Sequence, residues 1–143
     1  MRRASPIVLV LMAIGCPTAA FAACTLNVVG LNFGEYDIFN AQDTNITTSI
    51  GVVCDAADHY EIALSTGSGT FATRTLTSGS NLLAYNLFLD PAHLTIWGDG
   101  SPGTSTVSDT GTSANYAVYG RVPAHQNASV GSYADTITVT ITF

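Results

Sequence analysis

The C-terminal stretch TITVTITF, residues 136–143, decides the fold class of this 143-residue chain. Its apolar side chains occupy every second position and alternate with threonines. Successive side chains of a β-strand point to opposite faces, so one face of this stretch is apolar and the other is polar. Such a pattern is typical of an antiparallel strand with one face on a core. The sequence therefore predicts a half-buried strand at this end of the chain.

The same two-residue period recurs upstream, and no window shows a sustained helical period. Alternating apolar positions predict further strands at 46–54, 60–64, 82–89, 94–97 and 116–122. Another set covers 24–33, where the apolar positions change face at Gly30 and predict a β-bulge. The stretches 66–80 and 98–113 are predicted to be surface loops and candidates for contact with other molecules. About seven short strands in one domain predict an all-β sandwich.

The first 22 residues have the three parts of a secretory signal peptide. Arg2 and Arg3 precede the apolar run 7–14, and Ala20-Phe21-Ala22 forms an A-x-A cleavage site. The apolar run is too short to span a bilayer, and no later stretch is long enough. We therefore expect a signal peptide at 1–22, one domain at 23–143, and export without a membrane span.

Removal of this leader leaves two arginines, no lysine and ten acidic residues, a formal charge of −8. No basic patch is then available to neutralise phosphates, which excludes nucleic acid as a partner. The same deficit argues against adhesion to anionic lipid. Solubility through net negative charge is the simplest interpretation of the acidity.

Two of the three cysteines, Cys24 and Cys54, remain in the expected mature chain. An even pair in an exported chain predicts a disulfide. In the chain-entropy model, closing this loop stabilises the fold by roughly 3–4 kcal/mol. The alternative use of the third cysteine is a lipoprotein anchor at Cys16. Ala13 disfavours that alternative, because such sites usually carry leucine three residues before the cysteine.

No arrangement of residues in the sequence predicts catalysis, a metal site or a cofactor. His59, His93 and His125 are far apart, no serine lies in a G-x-S-x-G elbow, and no lysine is present for Schiff-base chemistry. The acidic residues near predicted turns are expected to cap those turns rather than to coordinate calcium. They are Asp55, Asp58, Asp99 and Asp135. We therefore predict that the protein is not an enzyme.

Five blocks stand in order along the chain: LNFGEYD (31–37), LAYNLFLD (83–90), WGDG (97–100), YGRVPA (119–124) and GSYADT (131–136). Together with Cys24 and Cys54, they resemble the spore coat protein U domain. That family includes subunits of archaic chaperone–usher pili. The similarity covers essentially all of 24–143 in the order of the family, which makes the set specific although each block alone is weak.

The resemblance implies an immunoglobulin-like β-sandwich that is incomplete because it lacks its last strand. In the family, a periplasmic chaperone lends a strand, and the N-terminal extension of a neighbouring subunit later replaces it by β-strand addition. The implied partners are a periplasmic chaperone, an outer-membrane usher and other pilus or coat subunits. The expected walls of the acceptor groove are Leu26, Val28, Ile137, Val139, Ile141 and Phe143.

One feature of the sequence departs from the polymerising members of the family. Those subunits carry a donor segment before the first cysteine, whereas the predicted cleavage leaves only Ala23 before Cys24. We therefore expect a terminal pilus subunit or a coat protein at the cell surface rather than a repeating shaft subunit. The alternative is a self-contained binding or adhesive module, secreted or periplasmic, whose own N-terminus closes the sheet.

Overall fold

The computed structural model describes residues 23–143, so the predicted signal peptide at 1–22 and the alternative anchor at Cys16 lie outside the described residues. Every regular element in this part of the chain is a β-strand. The strands are β1 (Cys24–Val28), β2 (Thr44–Leu64), β3 (Arg74–Ser78), β4 (Asn81–Phe88), β5 (Val107–Val122) and β6 (Val139–Thr142). The all-β class and the approximate number of strands agree with the sequence prediction.

All strand pairs are antiparallel, in the order β1-β2-β5-β4-β3, and β6 pairs with β2. Strand β5 lies along both halves of β2, with a register shift between Val53 and Asp58. Because β5 occupies one whole edge of β2, β1 and β6 share the opposite edge of β2. Strand β1 pairs with Ile50–Cys54 and β6 pairs with Glu61–Leu64. The first and last strands therefore lie end to end along the same edge.

The core is built from the apolar alternation of β2, β4 and β5 and is closed by Trp97. The buried side chains of the strands are Ile50, Val52, Cys54, Tyr60, Ile62, Leu64, Leu83, Tyr85, Leu87, Phe88, Val118 and Val122. Trp97 is fully buried, and its indole Nε1 donates a hydrogen bond to the carbonyl of Ile62 at 3.1 Å. It lies in the predicted short strand 94–97, which forms only isolated bridges at Ile96 and Trp97.

Two predicted strands merge, and two others were missed. The sets 46–54 and 60–64 belong to one strand, β2, because the same neighbour pairs with both. Strand β5 begins at Val107, inside the stretch predicted to be a loop at 98–113, and β3 lies inside 66–80. Both missed segments are rich in serine and threonine and show little apolar alternation. The prediction of uninterrupted loops there is wrong, because main-chain pairing with neighbours rather than apolar burial makes these segments strands.

The beginning of the chain also differs from its prediction. Strand β1 ends at Val28, so Gly30 lies beyond it and forms no bulge in a ladder. The disulfide prediction is confirmed: Cys24 lies directly opposite Cys54 in the β1–β2 register, and the two sulfurs are bonded. The disulfide therefore fastens the short first strand to the central strand of the sheet.

Candidate functional site

A cleft of about 1220 Å³ opens between the segment that follows β1 and the segment that precedes β6. The first wall is residues 28–39, and the second wall is residues 128–137 with Val139. The floor is formed by core side chains of the curled sheet. They include Ile50, Leu64, Leu76, Leu83, Leu87, Val118 and Val122. The cleft therefore reaches from the surface to the hydrophobic core.

The first wall continues from β1 without forming a strand itself. The last backbone hydrogen bond to β2 runs from the N–H of Val29 to the carbonyl of Ser49, and residues 30–37 belong to no strand ladder in the described part of the chain. Phe33 packs edge-to-face on Tyr85, with ring centroids 5.8 Å apart, and its ring lies against Gly120. A Cβ at Gly120 would meet that ring at 2.9 Å, so a side chain here would displace Phe33. The contact between Phe33 and Tyr85 therefore holds the first wall in place, although the backbone of this wall forms no hydrogen-bonded ladder with another strand.

Tyr36 ties the far end of the first wall to the segment that follows β5. Its hydroxyl donates to the carbonyl of Pro123 at 2.8 Å and accepts from the backbone N–H of Gln126 at 2.9 Å. Gln126 in turn donates to the carbonyl of Ala84 and accepts from its N–H. Residues 34–37 are thus held at the end of the cleft where the second wall begins.

The second wall is fastened along one edge and open along the other. Ala134 exchanges two backbone hydrogen bonds with Thr77 of β3, and the carbonyl of Thr138 accepts from the N–H of Ser65. Ile137 and Val139 are half-buried, whereas the intervening Thr138 is exposed. The apolar side chains of this wall therefore face the cleft and contact the core only in part.

Asp135 is the main side-chain anchor of the second wall. One carboxylate oxygen accepts from the hydroxyl of Tyr85 at 2.6 Å, and the other accepts from the N–H groups of Ser68 and Thr136. Burial, followed by the hydrogen bond to Asp135, raises the pKa of Tyr85 well above its ordinary range. The tyrosine therefore stays protonated and donates its hydrogen bond at neutral pH. Asp135 thus links the turn after β2 and the side chain of Tyr85 to the second wall.

Arg74 lies behind this anchor, fully buried. Its guanidinium donates to the carbonyls of Ser65 and Trp97 and to the amide oxygen of Asn86, at distances between 2.6 and 3.1 Å. Burial lowers the pKa of Arg74 from its ordinary value, while Tyr85 and Asp135 oppose that effect. Sequence reasoning missed this residue, because arginine is mostly exposed and nothing in the local pattern marks it as buried.

Exposed apolar side chains are concentrated at the cleft. Of the nine large apolar residues exposed in the described chain, five line it. They are Val28, Val29, Ile38, Phe39 and Val130. Phe39 is 87% exposed, and Val28 is 50% exposed although it ends a core strand. Exposed apolar side chains gathered at one place are a feature of interaction sites in soluble proteins.

The structure places the six predicted groove residues in three different environments. Val28, Ile137 and Val139 line the cleft. Leu26 and Ile141 are half-buried against the core and do not line it. Phe143 is 57% exposed and also lies outside the cleft.

Sequence reasoning did not include the rest of the first wall. Leu31 and Phe33 line the cleft and stand in the LNFGEYD block. They are two residues apart and so share one face of an extended segment, which is the signal that could have identified them.

The polar residues considered for chemistry are dispersed. His59 lies beside Thr110 on β5, and His93 packs on Phe88. Asp99 accepts from the N–H of Ser101, two residues further on, which is a turn cap. Asp55 instead accepts from the N–H of Ala23, at the end of the β1–β2 pair. Within residues 23–143, no group of three or more His, Cys, Asp or Glu side chains could hold a metal ion. The same residues contain no helix long and apolar enough to cross a membrane.

Comparisons with known proteins agree with the resemblance found in the sequence. A model of the Spore Coat Protein U domain matches residues 10–140. Protein U of Myxococcus xanthus is 33% identical in an alignment of length 127, which covers 79% of this chain and 71% of that protein.

A similar solved structure comes from the CsuC–CsuE chaperone–tip adhesion subunit pre-assembly complex of archaic chaperone–usher Csu pili of Acinetobacter baumannii. One chain of that complex has a TM-score of 0.65 at 22% identity. The match covers 86% of this chain but only 40% of the other, and it supports the immunoglobulin-like fold.

Proposed function

Because this chain belongs to the spore coat protein U domain family, we propose that it is an exported structural subunit whose cleft accepts a β-strand from a partner protein. The family and the fold are those of coat and pilus subunits rather than of enzymes. Export is proposed to follow the predicted signal peptide at 1–22, which would release the domain 23–143. The destination is the cell surface, in a pilus or a coat.

The observation that carries this proposal is the uncovered cleft. Exposed apolar side chains, such as those of Val28 and Phe39, line this cleft. The backbone of the wall segments pairs with no strand on the side that faces the cleft. Unpaired strand edges beside apolar surface favour aggregation unless another strand covers them. A strand inserted between the walls would bury these side chains and pair with the backbone of 30–33. A single extended segment in the cleft would therefore both bury the apolar side chains and pair with the backbone of the wall.

The partners follow from the same geometry and from the family. A periplasmic chaperone is proposed to supply the first strand, and another coat or pilus subunit to replace it at an outer-membrane usher. The solved complex named above supports this order, since it pairs a chaperone with a tip adhesion subunit before assembly. In this protein, Val28, Ile137 and Val139 would contact the inserted strand, while Leu26, Ile141 and Phe143 would support the strands beside it.

A terminal or coat position is proposed over a repeating shaft position. The predicted cleavage leaves only Ala23 before the disulfide-bonded Cys24. One residue is too short to serve as a strand for the next subunit, since a strand usually has at least about three residues. The measurement is the mass of the protein recovered from the periplasm. A mature N-terminus well before Ala23, with an alternating apolar segment, would contradict this position.

The test of strand acceptance compares two substitutions one residue apart on β6, in the native source. Val139→Asp places a carboxylate in the cleft, whereas Thr140→Asp places it on the exposed face of the same strand. We expect Val139→Asp to reduce the amount that reaches the cell surface by about tenfold or more, through loss of apolar burial. Thr140→Asp should behave as the wild type. Equal surface amounts for both variants would contradict an occupied cleft.

A further inference from the structure

The charges that line the cleft have one sign. Glu35, Asp37 and Asp135 belong to its lining, and no lysine, arginine or histidine of residues 23–143 does. Asp135 already accepts three hydrogen bonds from the protein. Glu35 and Asp37 are exposed, and one oxygen of Asp37 accepts only from the N–H of Phe39. These two carboxylates are therefore the ones available to a partner.

Glu35 and Asp37 have a defined place in the cleft. They flank Tyr36, whose hydroxyl is held by Pro123 and Gln126. That contact keeps both carboxylates near the start of the second wall, at the opposite end of the first wall from Val28. An extended segment that follows the first wall would run over apolar side chains and end beside two negative charges.

A second copy of this domain is poorly suited to supply that segment. Residues 23–143 contain two basic side chains, of which Arg74 is buried and Arg121 lies 3.8 Å from Asp43. Ten acidic residues give each domain a formal charge of −8, so two copies repel each other. Like charges across an interface suppress wrong partners, and opposite charges speed and orient the right one. The charge distribution thus favours a partner of a different kind.

Building on the proposed strand acceptance, we propose that the occupant of the cleft is a strand of a separate, basic protein. Its apolar side chains stand at alternate positions and fill the cleft between the two walls. A lysine or arginine at one end lies over Glu35 and Asp37. The apolar positions supply the burial, and the terminal cation sets which way the strand runs.

The test uses synthetic peptides of about ten residues, long enough to follow most of the first wall. Each alternates valine and threonine and ends in two lysines, two glutamines or two glutamates. Because the direction of the strand is not fixed in advance, each pair is placed at either the N- or the C-terminus. Affinity for the mature chain is measured by fluorescence anisotropy at low and high ionic strength, with the double variant Glu35→Gln/Asp37→Asn and the control Glu61→Gln. Glu61 is exposed and lies outside the cleft.

We expect the lysine peptide, in one of its two forms, to bind about threefold to tenfold tighter than the glutamate peptide, as for exposed ion pairs. High salt should reduce this preference. The double variant should abolish it, and Glu61→Gln should preserve it. Equal affinities for all peptides, or a preference unchanged in the double variant, would overturn the proposed cation while leaving strand acceptance intact.

Two other outcomes are distinct from these. If no peptide binds, the proposed strand acceptance itself fails, and not only the preference for charge. If the chain without peptide forms a dimer that all peptides dissociate, the occupant is a second copy, and the proposal of a separate basic partner is wrong. Sedimentation velocity of the mature chain over a range of concentrations separates this outcome from the others.

Discussion

Arg74 shows how a single residue joins three parts of this fold. Its guanidinium hydrogen-bonds to Ser65 after β2, to Trp97 after β4 and to Asn86 within β4. All of these acceptors are oxygens of neutral groups, and the nearby carboxylate of Asp135 adds a favourable charge interaction. A buried cation is tolerated only when its donors are satisfied in this way.

Arg74→Met should therefore destabilise the domain strongly. The substitution keeps an unbranched apolar side chain but leaves the carbonyls of Ser65 and Trp97 without these donors. We expect a loss of about 3 kcal/mol in the free energy of unfolding. Arg121→Met, at a half-exposed ion pair with Asp43, should cost under about 1 kcal/mol. The free energy of unfolding of both variants is measured by urea denaturation. Equal losses would show that the hydrogen bonds of the Arg74 guanidinium do not stabilise the domain.

Tyr85 is expected to make the stability of the domain decrease with rising pH in the alkaline range. Its pKa is raised above the ordinary value of 10.0 by burial and by Asp135, so the folded state retains a proton that the unfolded state releases. The contribution is complete below pH 10 and is lost progressively as the pH rises above that value. We expect the melting temperature to fall above about pH 10. Tyr85→Phe should be less stable at neutral pH and should show a smaller alkaline decline. A decline of the same size would contradict the assignment to Tyr85.

At the scale of elements, the turn after β2 determines the position of the second wall. Gly67 has φ of +57°, and a Cβ there would overlap the Asp135 carboxylate and approach Ile137. The turn and the wall can therefore lie together only when this residue has no side chain. Gly79 has a similar φ of +61°, but nothing lies within 4 Å of the position of its Cβ.

This pair gives a matched prediction. Gly79→Ala should cost about 1 kcal/mol, which is the strain of a left-handed backbone. Gly67→Ala should cost about 2–3 kcal/mol, since it adds a collision with Asp135 to the same strain. The lysine peptide should also bind more weakly to Gly67→Ala than to Gly79→Ala, because the wall is displaced. Thermal melting and peptide binding measure the two effects, and equal results for both variants would contradict this role of Gly67.

At the scale of the whole molecule, the proposed strand acceptance implies that the isolated chain is incomplete. The mature chain purified without a partner should show low stability or aggregate, because apolar wall residues remain in water. A bound peptide at about 100 times its dissociation constant should then stabilise it by about 2.7 kcal/mol. The melting temperature with and without peptide measures this. A stable monomer that no peptide affects would support the self-contained module instead.

The sequence was most informative where burial and alternation coincide. The alternating residues Leu83, Tyr85 and Leu87 lie in the core strand β4, and the alternating segment 116–122 lies in β5. Strand β3 and the first half of β5 lack this period, because they are stabilised mainly by hydrogen bonds to neighbouring strands. Such pairing depends on which segment lies alongside, and no local pattern encodes it.

The sequence named only part of the cleft lining, for a related reason. Val28, Ile137 and Val139 line the cleft, and they were named from the family resemblance and from the apolar alternation of the last strand. Their contact with a partner strand stays a prediction. Tyr36 and Phe39 lie on the part of the first wall without regular structure, so periodicity gave no guide to the direction of their side chains. Gly30 illustrates this limit, since a change of face was interpreted as a bulge where the strand simply ends.

By itself, the sequence determined the all-β class, the family, the disulfide between Cys24 and Cys54, and the acidic surface. These follow from composition, from the alternation of side chains, and from blocks that keep their order. Only the tertiary structure decided that β1 and β6 share one edge of β2, that Arg74 is buried, and that the two walls leave a cleft between them. The physical reason is that each of these depends on contacts between residues far apart in the chain, which local patterns do not specify.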